Sequence, residues 1–373
     1  MRLIKRYLCG PVIDKGDVGM DIVEVLSAAV DKQASDIFLV AGMPLSYKTG
    51  GRIEYQKGDK MSPAQIEDLI KELYDVAGNR SMKKIREEGD DDFSFALPKL
   101  SRFRANVFRQ RGSLAAIIRI ITFNLPDYEK LHLPRTVIDV AKMTKGMVLV
   151  TGPAGSGKST TLACIINEIN RTRNAHVITL EDPIEYLHRH DKSVVSQREI
   201  GTDTESYMSG LRAALRQAPD VILLGEMRDY ETIRTAMTAA ETGHLVISTL
   251  HTIGAANTID RIIDSFPPEQ QQQIRVQLSM VMEGVISQQL IPSLNGGMHP
   301  AFEIMFFNNA IRNMIRESKI HQIDNVIATS QKEGMISMDT SLIQMYQKGL
   351  ISREDAIIHS NNSELMAKKI ERL

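Results

Sequence analysis

The segment at residues 152–160, GPAGSGKST, has the residue types and spacing of a phosphate-binding loop. It fits the pattern G-x-x-x-x-G-K-[ST] in full, between a predicted strand and a predicted helix. Its glycines let backbone N–H groups approach a polyanion closely, and the helix N-terminus adds a favourable dipole. The pattern predicts that Lys158 reaches the β and γ phosphates of a triphosphate, and that the Ser159 hydroxyl binds Mg²⁺. The residues expected to contact the nucleotide are Gly152, Gly155, Ser156, Gly157, Lys158, Ser159 and Thr160.

A short apolar run at residues 221–224 ends in Gly225 and Glu226. An acid at the end of a core strand, downstream of a phosphate loop, is expected to hold the metal ion. The usual Asp is replaced by Gly225, so we predict that Glu226 binds Mg²⁺. A solvated glutamate at a strand end is the alternative interpretation.

A second acidic segment, TLEDPIEY at residues 179–186, also follows an apolar run. Hydrolysis needs a group that orients and deprotonates the attacking water, and Glu185 is the candidate. Glu181 and Asp182 either assist the metal or hold the loop. A solvated acidic turn is the alternative for the whole segment.

Two histidines, His244 and His251, lie at opposite ends of the apolar run at residues 245–249. We expect both to lie near a γ-phosphate, because ligands bind at the carboxyl ends of such strands. A structural role is the alternative for each of them. No zinc-ligand spacing supports a metal site.

Five arginines and no acid lie between residues 101 and 119, namely Arg102, Arg104, Arg109, Arg111 and Arg119. Three interpretations remain open. The strip binds nucleic acid, or it pairs with the acidic cluster at residues 87–92, or it supplies arginine fingers to a nucleotide. Alternation along a strand places Arg102 and Arg104 on one face and Arg109 on the other.

The composition is that of an ordinary globular protein of 373 residues, with a formal net charge of −1. This length favours two domains, and the charge gives no global indication of nucleic-acid binding. Two cysteines, Cys9 and Cys164, exclude a tetracysteine zinc site and favour a reducing compartment. No apolar run is long enough for a signal sequence or a membrane span.

The hydrophobic patterns divide the chain into two parts. We predict an extension at residues 1–19, a mixed α/β domain at 20–123, a linker at 124–134 and a second domain at 135–373. In the second domain, apolar runs alternate with helical stretches, which is typical of a parallel sheet covered by helices on both faces. The strand signal fades after about residue 292, so we expect a mostly helical C-terminal part.

Four motifs, in this order, resemble those of the secretion ATPase superfamily. They are the phosphate loop (Walker A), an Asp box (ITLEDPIEY), an atypical Walker B (VILLGEMRD) and a His box (TGHLVISTLHT). Residues 310–317, AIRNMIRE, are similar to a C-terminal motif of the PilT family of type IV pilus retraction ATPases. Residues 1–19 exceed the usual start of this family, so either Met20 is the first residue or the extension is particular to this protein.

The resemblance implies an α/β fold, with a RecA-like P-loop ATPase core, an N-terminal PAS-like α/β domain and a helical C-terminal region. It implies ATP and Mg²⁺ as cofactors, and a homo-hexamer that powers pilus retraction and supports twitching motility. It places the protein in the cytoplasm at the inner face of the cell membrane, with a pilus platform protein of the inner membrane as partner. Membrane association through partners only, and no direct nucleic-acid binding, are also implied. The residues that inherit catalytic roles are Glu185, Glu226, His244, His251, Arg104 and Arg119.

Two other functions remain possible alternatives. A pilus-extension or type II secretion ATPase shares the core, but the cysteine count and the AIRNMIRE segment argue against it. A non-motor accessory subunit is opposed by the presence of Lys158, Glu185 and Glu226.

Overall fold

The computed structural model of the protein describes residues 21–121, 125–227 and 229–372. The chain divides into two compact units, residues 1–122 and residues 123–373. The predicted extension at residues 1–19 lies outside the described residues. Residues 125–134 precede the first helix of the second unit without forming a helix or strand.

The first unit is a six-stranded antiparallel sheet with the strand order β3-β2-β1-β6-β5-β4. Its strands are Asp36–Leu39 (β1), Ser46–Thr49 (β2), Arg52–Tyr55 (β3), Asp90–Leu97 (β4), Ser101–Gln110 (β5) and Ser113–Ile121 (β6). Its helices are Ile22–Asp31 (α1), Pro63–Val76 (α2) and Lys83–Glu87 (α3). Strands β4, β5 and β6 form a continuous antiparallel meander, and the shortest strands of the sheet, β1, β2 and β3, have four residues each.

Helix α2 begins where its sequence signals predict. The Ser62 hydroxyl accepts a hydrogen bond from the Gln65 backbone, and the Gln65 side chain accepts one from the Ser62 backbone. Pro63 follows at the first helical position, where a missing N–H has no cost. The helix buries Ile66, Leu69 and other apolar residues in the core of the unit.

One face of this sheet packs against the core, and alternate residues of β5 and β6 point the other way. Phe103 and Ile118 are fully buried, whereas Arg104 and Arg119 lie on the opposite face. The acidic cluster contributes one buried carboxylate, Asp91, which accepts hydrogen bonds from the Tyr74 hydroxyl and from Nε and Nη2 of Arg80.

The second unit contains a seven-stranded sheet with the order β13-β12-β7-β11-β10-β8-β9. All neighbouring pairs are parallel except β12 with β13. The strands are Gly146–Thr151 (β7), His176–Glu181 (β8), Val194–Glu199 (β9), Val221–Leu224 (β10), Leu245–Leu250 (β11), Met282–Pro292 (β12) and Met298–Phe306 (β13).

Helices cover both faces of this sheet, as the sequence predicted, because alternate residues of its strands enter two separate cores. Val148 and Val150 pack on the side of the helix that follows β7, and Met147 and Leu149 pack on the other side. The helices of the unit are Arg135–Ile138 (α4), Lys158–Thr172 (α5), Tyr207–Ala214 (α6), Tyr230–Glu241 (α7), Ala255–Asp264 (α8), Pro268–Val281 (α9), Asn309–Arg316 (α10), Ile323–Thr329 (α11), Met338–Gln347 (α12), Arg353–Ile358 (α13) and Ser363–Ile370 (α14).

The C-terminal part differs from the expectation of helix from about residue 292. Strand β13 follows that point and pairs with β12 along nine residue pairs, and the helices begin only at Asn309. The strand signal is weak because buried polar residues, Gln288 and Glu303, interrupt the apolar pattern. Helices α12–α14 then pack a small core against Ile291 and Ala301.

Glu303 joins this C-terminal part to the sheet. Its buried carboxylate accepts hydrogen bonds from the backbone of Ala255 (2.7 Å) and Met338 (3.3 Å) and from the Asn361 amide (3.4 Å). Burial raises the pKa of Glu303 above its ordinary value, against the effect of these hydrogen bonds.

Across the described ranges, no helix combines the length and the apolar character that a membrane span requires.

Candidate active site

The phosphate loop lies between strand β7 and helix α5, as predicted. Gly152 has φ 141° and Gly157 has φ 86°, conformations that favour glycine. A Cβ at Gly152 would also lie 2.1 Å from the Gln288 carbonyl oxygen, so no other residue fits this turn. Lys158 begins α5, and its Nζ donates to the carbonyls of Gly152 and Pro153, each at 2.9 Å.

The electrostatic environment of Lys158 has two opposing contributions. Burial lowers the pKa of Lys158 below its ordinary value, and the charges of Glu226 and Glu185 act in the opposite direction. The charges of both predicted acids therefore act on the Lys158 ammonium. The sequence order separates these acids by 41 positions, and the parallel pairing of β8 with β10 brings their strand ends together.

The acids and the loop line one cleft of about 250 Å³ at the carboxyl ends of the parallel strands. The predicted site residues that the structure brings together there are Gly155, Lys158, Ser159, Glu185, Glu226 and His251. Glu226 follows β10 and its side chain is 16 % exposed, whereas Glu185 is exposed at the cleft. His251 Nε2 lies 3.3 Å from Glu226 Oε2, so the His box and the Walker B segment meet at this point.

Glu181 forms part of the cleft wall. Its carboxylate accepts hydrogen bonds from the Thr179 hydroxyl at 2.6 Å and from the Gln197 amide at 3.1 Å. Burial raises the pKa of Glu181 to about 7, although both hydrogen bonds act to lower it. This carboxyl group is therefore partly protonated near neutral pH, unlike an ordinary glutamate.

The oxygen donors in the cleft suit a nucleotide-bound Mg²⁺. Ser159 and Glu226 supply a hydroxyl and a carboxylate, while the described residues hold no cluster of three or more His, Cys, Asp or Glu fit for a metal. Mg²⁺ usually keeps several waters and binds through one or two protein groups plus substrate phosphates. A site with few protein ligands beside a phosphate loop therefore fits this ion.

Two loop residues have contacts that the motif alone does not predict. The Thr160 hydroxyl lies 2.9 Å from the Tyr186 hydroxyl, which ties the first turn of α5 to the acidic segment. Ser156 is buried, and its Oγ has no hydrogen-bond partner among the described residues.

The structure does not bring His244 to this cleft. It precedes β11, at the end of the strand opposite to His251, and six extended residues span about 20 Å. Its Nδ1 lies 2.9 Å from the Ala239 carbonyl oxygen, so the ring is held at the end of α7. The expectation that both histidines approach one phosphate is corrected for this chain, because they lie at opposite ends of one strand.

The two arginines chosen from the first unit are directly opposite each other on β5 and β6. Arg104 forms a bidentate ion pair with Asp92, at 3.0 and 2.6 Å, and Arg119 Nε lies 3.1 Å from Asp36 Oδ1. Arg104 thus pairs with the acidic cluster, which was one of the three interpretations of the strip. The Arg119 side chain is 70 % exposed and remains accessible on this unit.

Gln288 is a site residue that the sequence interpretation missed. Its Oε1 accepts a hydrogen bond from the Thr161 hydroxyl at 2.7 Å, and its Nε2 would lie 2.9 Å from a Cβ at Gly157. The amide therefore supports the phosphate loop from strand β12. The available signal was a glutamine pair, Gln288 and Gln289, inside an otherwise apolar run.

The fold and the cleft define a RecA-like P-loop ATPase. A family model described as Type II/IV secretion system protein matches residues 13–364 of the chain. The type IV pilus retractation ATPase PilT of Pseudomonas aeruginosa is 44 % identical over 337 residues, which cover 90 % of this chain and 97 % of that protein. A twitching motility protein of Neisseria gonorrhoeae is 46 % identical over 310 residues, covering 83 % of this chain and 82 % of that protein.

A solved structure gives the same result. The crystal structure of the pilus retraction motor PilT with bound ADP is similar with a TM-score of 0.84 and 46 % identity, over 95 % of this chain and all of that chain. The chain belongs to the type II/IV secretion system protein family and, within this ATPase superfamily, to the type IV pilus retraction ATPases.

Proposed function

We propose that this protein is a homo-hexameric motor that hydrolyses ATP to power the retraction of type IV pili and thereby supports twitching motility. The observation that carries the proposal is the convergence of Lys158, Glu185 and Glu226 on one cleft at the carboxyl ends of the sheet. The similarity to a pilus retraction motor that binds ADP, over nearly the whole chain, supports the same function.

In the proposed mechanism, each group in the cleft has a distinct task. The backbone N–H groups of the phosphate loop and the Lys158 ammonium bind the phosphates and stabilise charge that develops on transfer. Ser159 and Glu226 would hold the Mg²⁺ that accompanies a nucleotide, and that ion would neutralise part of the phosphate charge. Glu185 orients the attacking water and accepts its proton, and its exposure lets it approach the nucleotide.

Further residues act around this centre. His251 contacts Glu226 and holds its carboxylate in position for the metal. Arg104 and Arg119 act on the nucleotide of a neighbouring subunit in the ring, where a guanidinium stabilises transferring phosphoryl charge. His244 lies at the other end of β11, so we assign it no direct role in hydrolysis within its own chain.

The proposed place of action is the cytoplasmic face of the inner membrane, through a pilus platform protein. Hydrolysis there moves one rigid unit of the ring against the next and displaces the platform protein. The absence of any global positive charge agrees with a protein partner rather than nucleic acid.

The enzymatic part is tested by steady-state ATPase assays of Lys158→Ala. Removing the ammonium should lower turnover by about a thousandfold, the scale of losing one preorganised charge donor. Lys145→Ala is the matched control, because Lys145 is an exposed lysine directly before β7, the strand that leads into the phosphate loop. Equal activity of both variants and wild type would remove the hydrolase assignment.

The direction of the motor is tested in cells that lack the gene. Retraction predicts many surface pili and no twitching, because pili assemble but are not withdrawn. An extension motor predicts no pili, and an accessory subunit predicts pili with residual twitching. Complementation with Lys158→Ala should fail to restore twitching.

A further inference from the structure

The end of strand β10 carries Gly225 at the place where phosphate-loop ATPases usually have an acid. Its backbone does not require glycine, because φ lies outside the left-handed region. What a side chain would meet is the Tyr207 hydroxyl, 2.7 Å from a Cβ at this position, with the Leu180 carbonyl oxygen at 3.3 Å. The tyrosine hydroxyl therefore fills the space in which a strand-end side chain would start.

Tyr207 is held firmly in this position. It is the first residue of α6, and Ser206 and Ser209 cap the helix with reciprocal hydrogen bonds. One turn later, Gly210 lets the helix approach β8 closely, since a Cβ there would lie 3.0 Å from the Leu180 side chain. The Tyr207 side chain packs partly against the apolar core, and it lines the same cleft as Lys158.

We propose that the Tyr207 hydroxyl replaces the missing strand-end carboxylate and orients the water shell of the Mg²⁺ that enters with the nucleotide. This inference rests on the proposed ATP hydrolysis. Because Mg²⁺ retains several waters, a group that contacts those waters is sufficient, and a phenol can both donate and accept hydrogen bonds. Tyr207 is thus a positioning residue beside Ser159 and Glu226.

The charge of the cleft favours a neutral group at this point. Glu181, Glu185 and Glu226 already line it, and the Cα of Glu181 lies 3.5 Å from the position of a Cβ at Gly225. A further carboxylate would repel these acids, since like charges in a poorly solvated site disfavour ionisation. A hydroxyl supplies hydrogen bonding without that repulsion.

The test measures the affinity of the full chain for a fluorescent ADP analogue, with Mg²⁺ and again with EDTA. In Tyr207→Phe, the gain in affinity that Mg²⁺ gives should fall about five- to tenfold, the scale of one ordinary hydrogen bond between neutral groups. The affinity in EDTA should stay unchanged. Tyr230→Phe is the matched control, because Tyr230 is also the first residue of a helix but lies outside the cleft lining.

Two outcomes would overturn the inference. An equal loss of affinity with and without Mg²⁺ would assign Tyr207 a purely structural role, and an unchanged Mg²⁺ effect would remove the role altogether. If the wild type itself showed no nucleotide binding, the proposed function would fail instead, so the two failures are distinguishable.

A second variant keeps the test independent of folding. Gly225→Asp alone should bind MgADP poorly, because its Cβ meets the Tyr207 hydroxyl. Adding Tyr207→Leu should restore Mg²⁺-dependent binding at least in part, since the carboxylate then has room beside the metal. Failure of the double variant to bind better than Gly225→Asp would contradict the exchange of one group for the other.

Discussion

The two sheets of this protein carry their polar side chains in different places. In the second unit, Lys158, Glu226 and His251 follow the ends of strands and converge because the strands are parallel. In the first unit, Arg104 and Arg119 lie in the middle of antiparallel strands, where each pairs with an acid. Side chains at the strand ends thus form a cleft. Side chains in the strand middles form a surface on which the register of the strands decides which residues are neighbours.

This difference explains which residues can be changed without loss of the fold. A side chain at a strand end has few packing contacts, so its exchange affects chemistry more than stability. A side chain in mid-strand contacts its cross-strand neighbours, and the effect of its exchange on stability depends on how deeply its partner is buried. The following predictions test this division, beginning with the largest effect.

Glu226→Gln should lower ATP turnover by about a thousandfold, because an amide cannot replace a metal-binding carboxylate. The melting temperature should change by only about 2 °C, since the side chain lies at the end of β10. Steady-state kinetics and calorimetry measure the two effects. Glu231→Gln, an exposed acid in the first turn of α7, is the control and should leave both unchanged. A large drop in melting temperature for Glu226→Gln would break the comparison.

Glu181 should make stability depend on pH in the nucleotide-free protein. Its pKa rises from 4.5 to about 7 on folding, so the folded state holds the proton more tightly. The stabilisation is complete below pH 4.5 and is lost as the pH rises to about 7, a change of about 3 kcal/mol. Urea unfolding of wild type and Glu181→Gln across this range measures it. Wild type should show the steeper decline, because Glu303, whose pKa is also raised, contributes equally to both proteins. Parallel curves for the two proteins would contradict the prediction.

Gln288→Ala should weaken nucleotide binding about tenfold, because the Thr161 hydroxyl loses its acceptor and Gly157 loses its support. Gln289→Ala is the adjacent control. The Gln289 side chain contacts His359 rather than the phosphate loop, so its removal should leave affinity within about twofold. Titration of both variants with the fluorescent ADP analogue separates the two faces of β12, and equal losses would remove the assigned role of Gln288.

Arg119→Ala should destabilise the first unit by less than about 1 kcal/mol, because its ion pair with Asp36 is mostly solvated on the arginine side. Arg80→Ala should cost more, about 3 kcal/mol, since it leaves the fully buried Asp91 carboxylate short of its main partner. Urea unfolding of the full chain measures both. A larger effect for Arg119 than for Arg80 would reverse the order that burial predicts.

Sequence reasoning succeeded where the signal is local. Ser62 and Pro63 set the start of α2, and the phosphate loop set the junction of β7 and α5. It failed where distant segments decide the outcome. Strand β13 was missed because the buried Glu303 interrupts its apolar pattern. The groups that hydrogen-bond Glu303, such as the Ala255 backbone, are distant in the sequence and meet it only in the folded chain.

The site shows the same limit. Gly225 was visible as an anomaly, but the contact that explains it comes from Tyr207, 18 positions earlier in the chain. His244 and His251 lie at opposite ends of one apolar run in the sequence, and the extended strand β11 places only His251 at the cleft. Spacing in the sequence identifies groups able to do chemistry, whereas the direction of each strand decides which of them meet.

Glu303 has a mechanical consequence for the molecule. One carboxylate binds the amino ends of α8 and α12, and Ala255, which it contacts, is four positions beyond His251. Glu303 therefore links the last helices to the loop beside the cleft through hydrogen bonds. A chain shortened before Met338 would lose this connection and expose Ile291. The carboxyl-terminal helices are therefore an integral part of the ATPase domain.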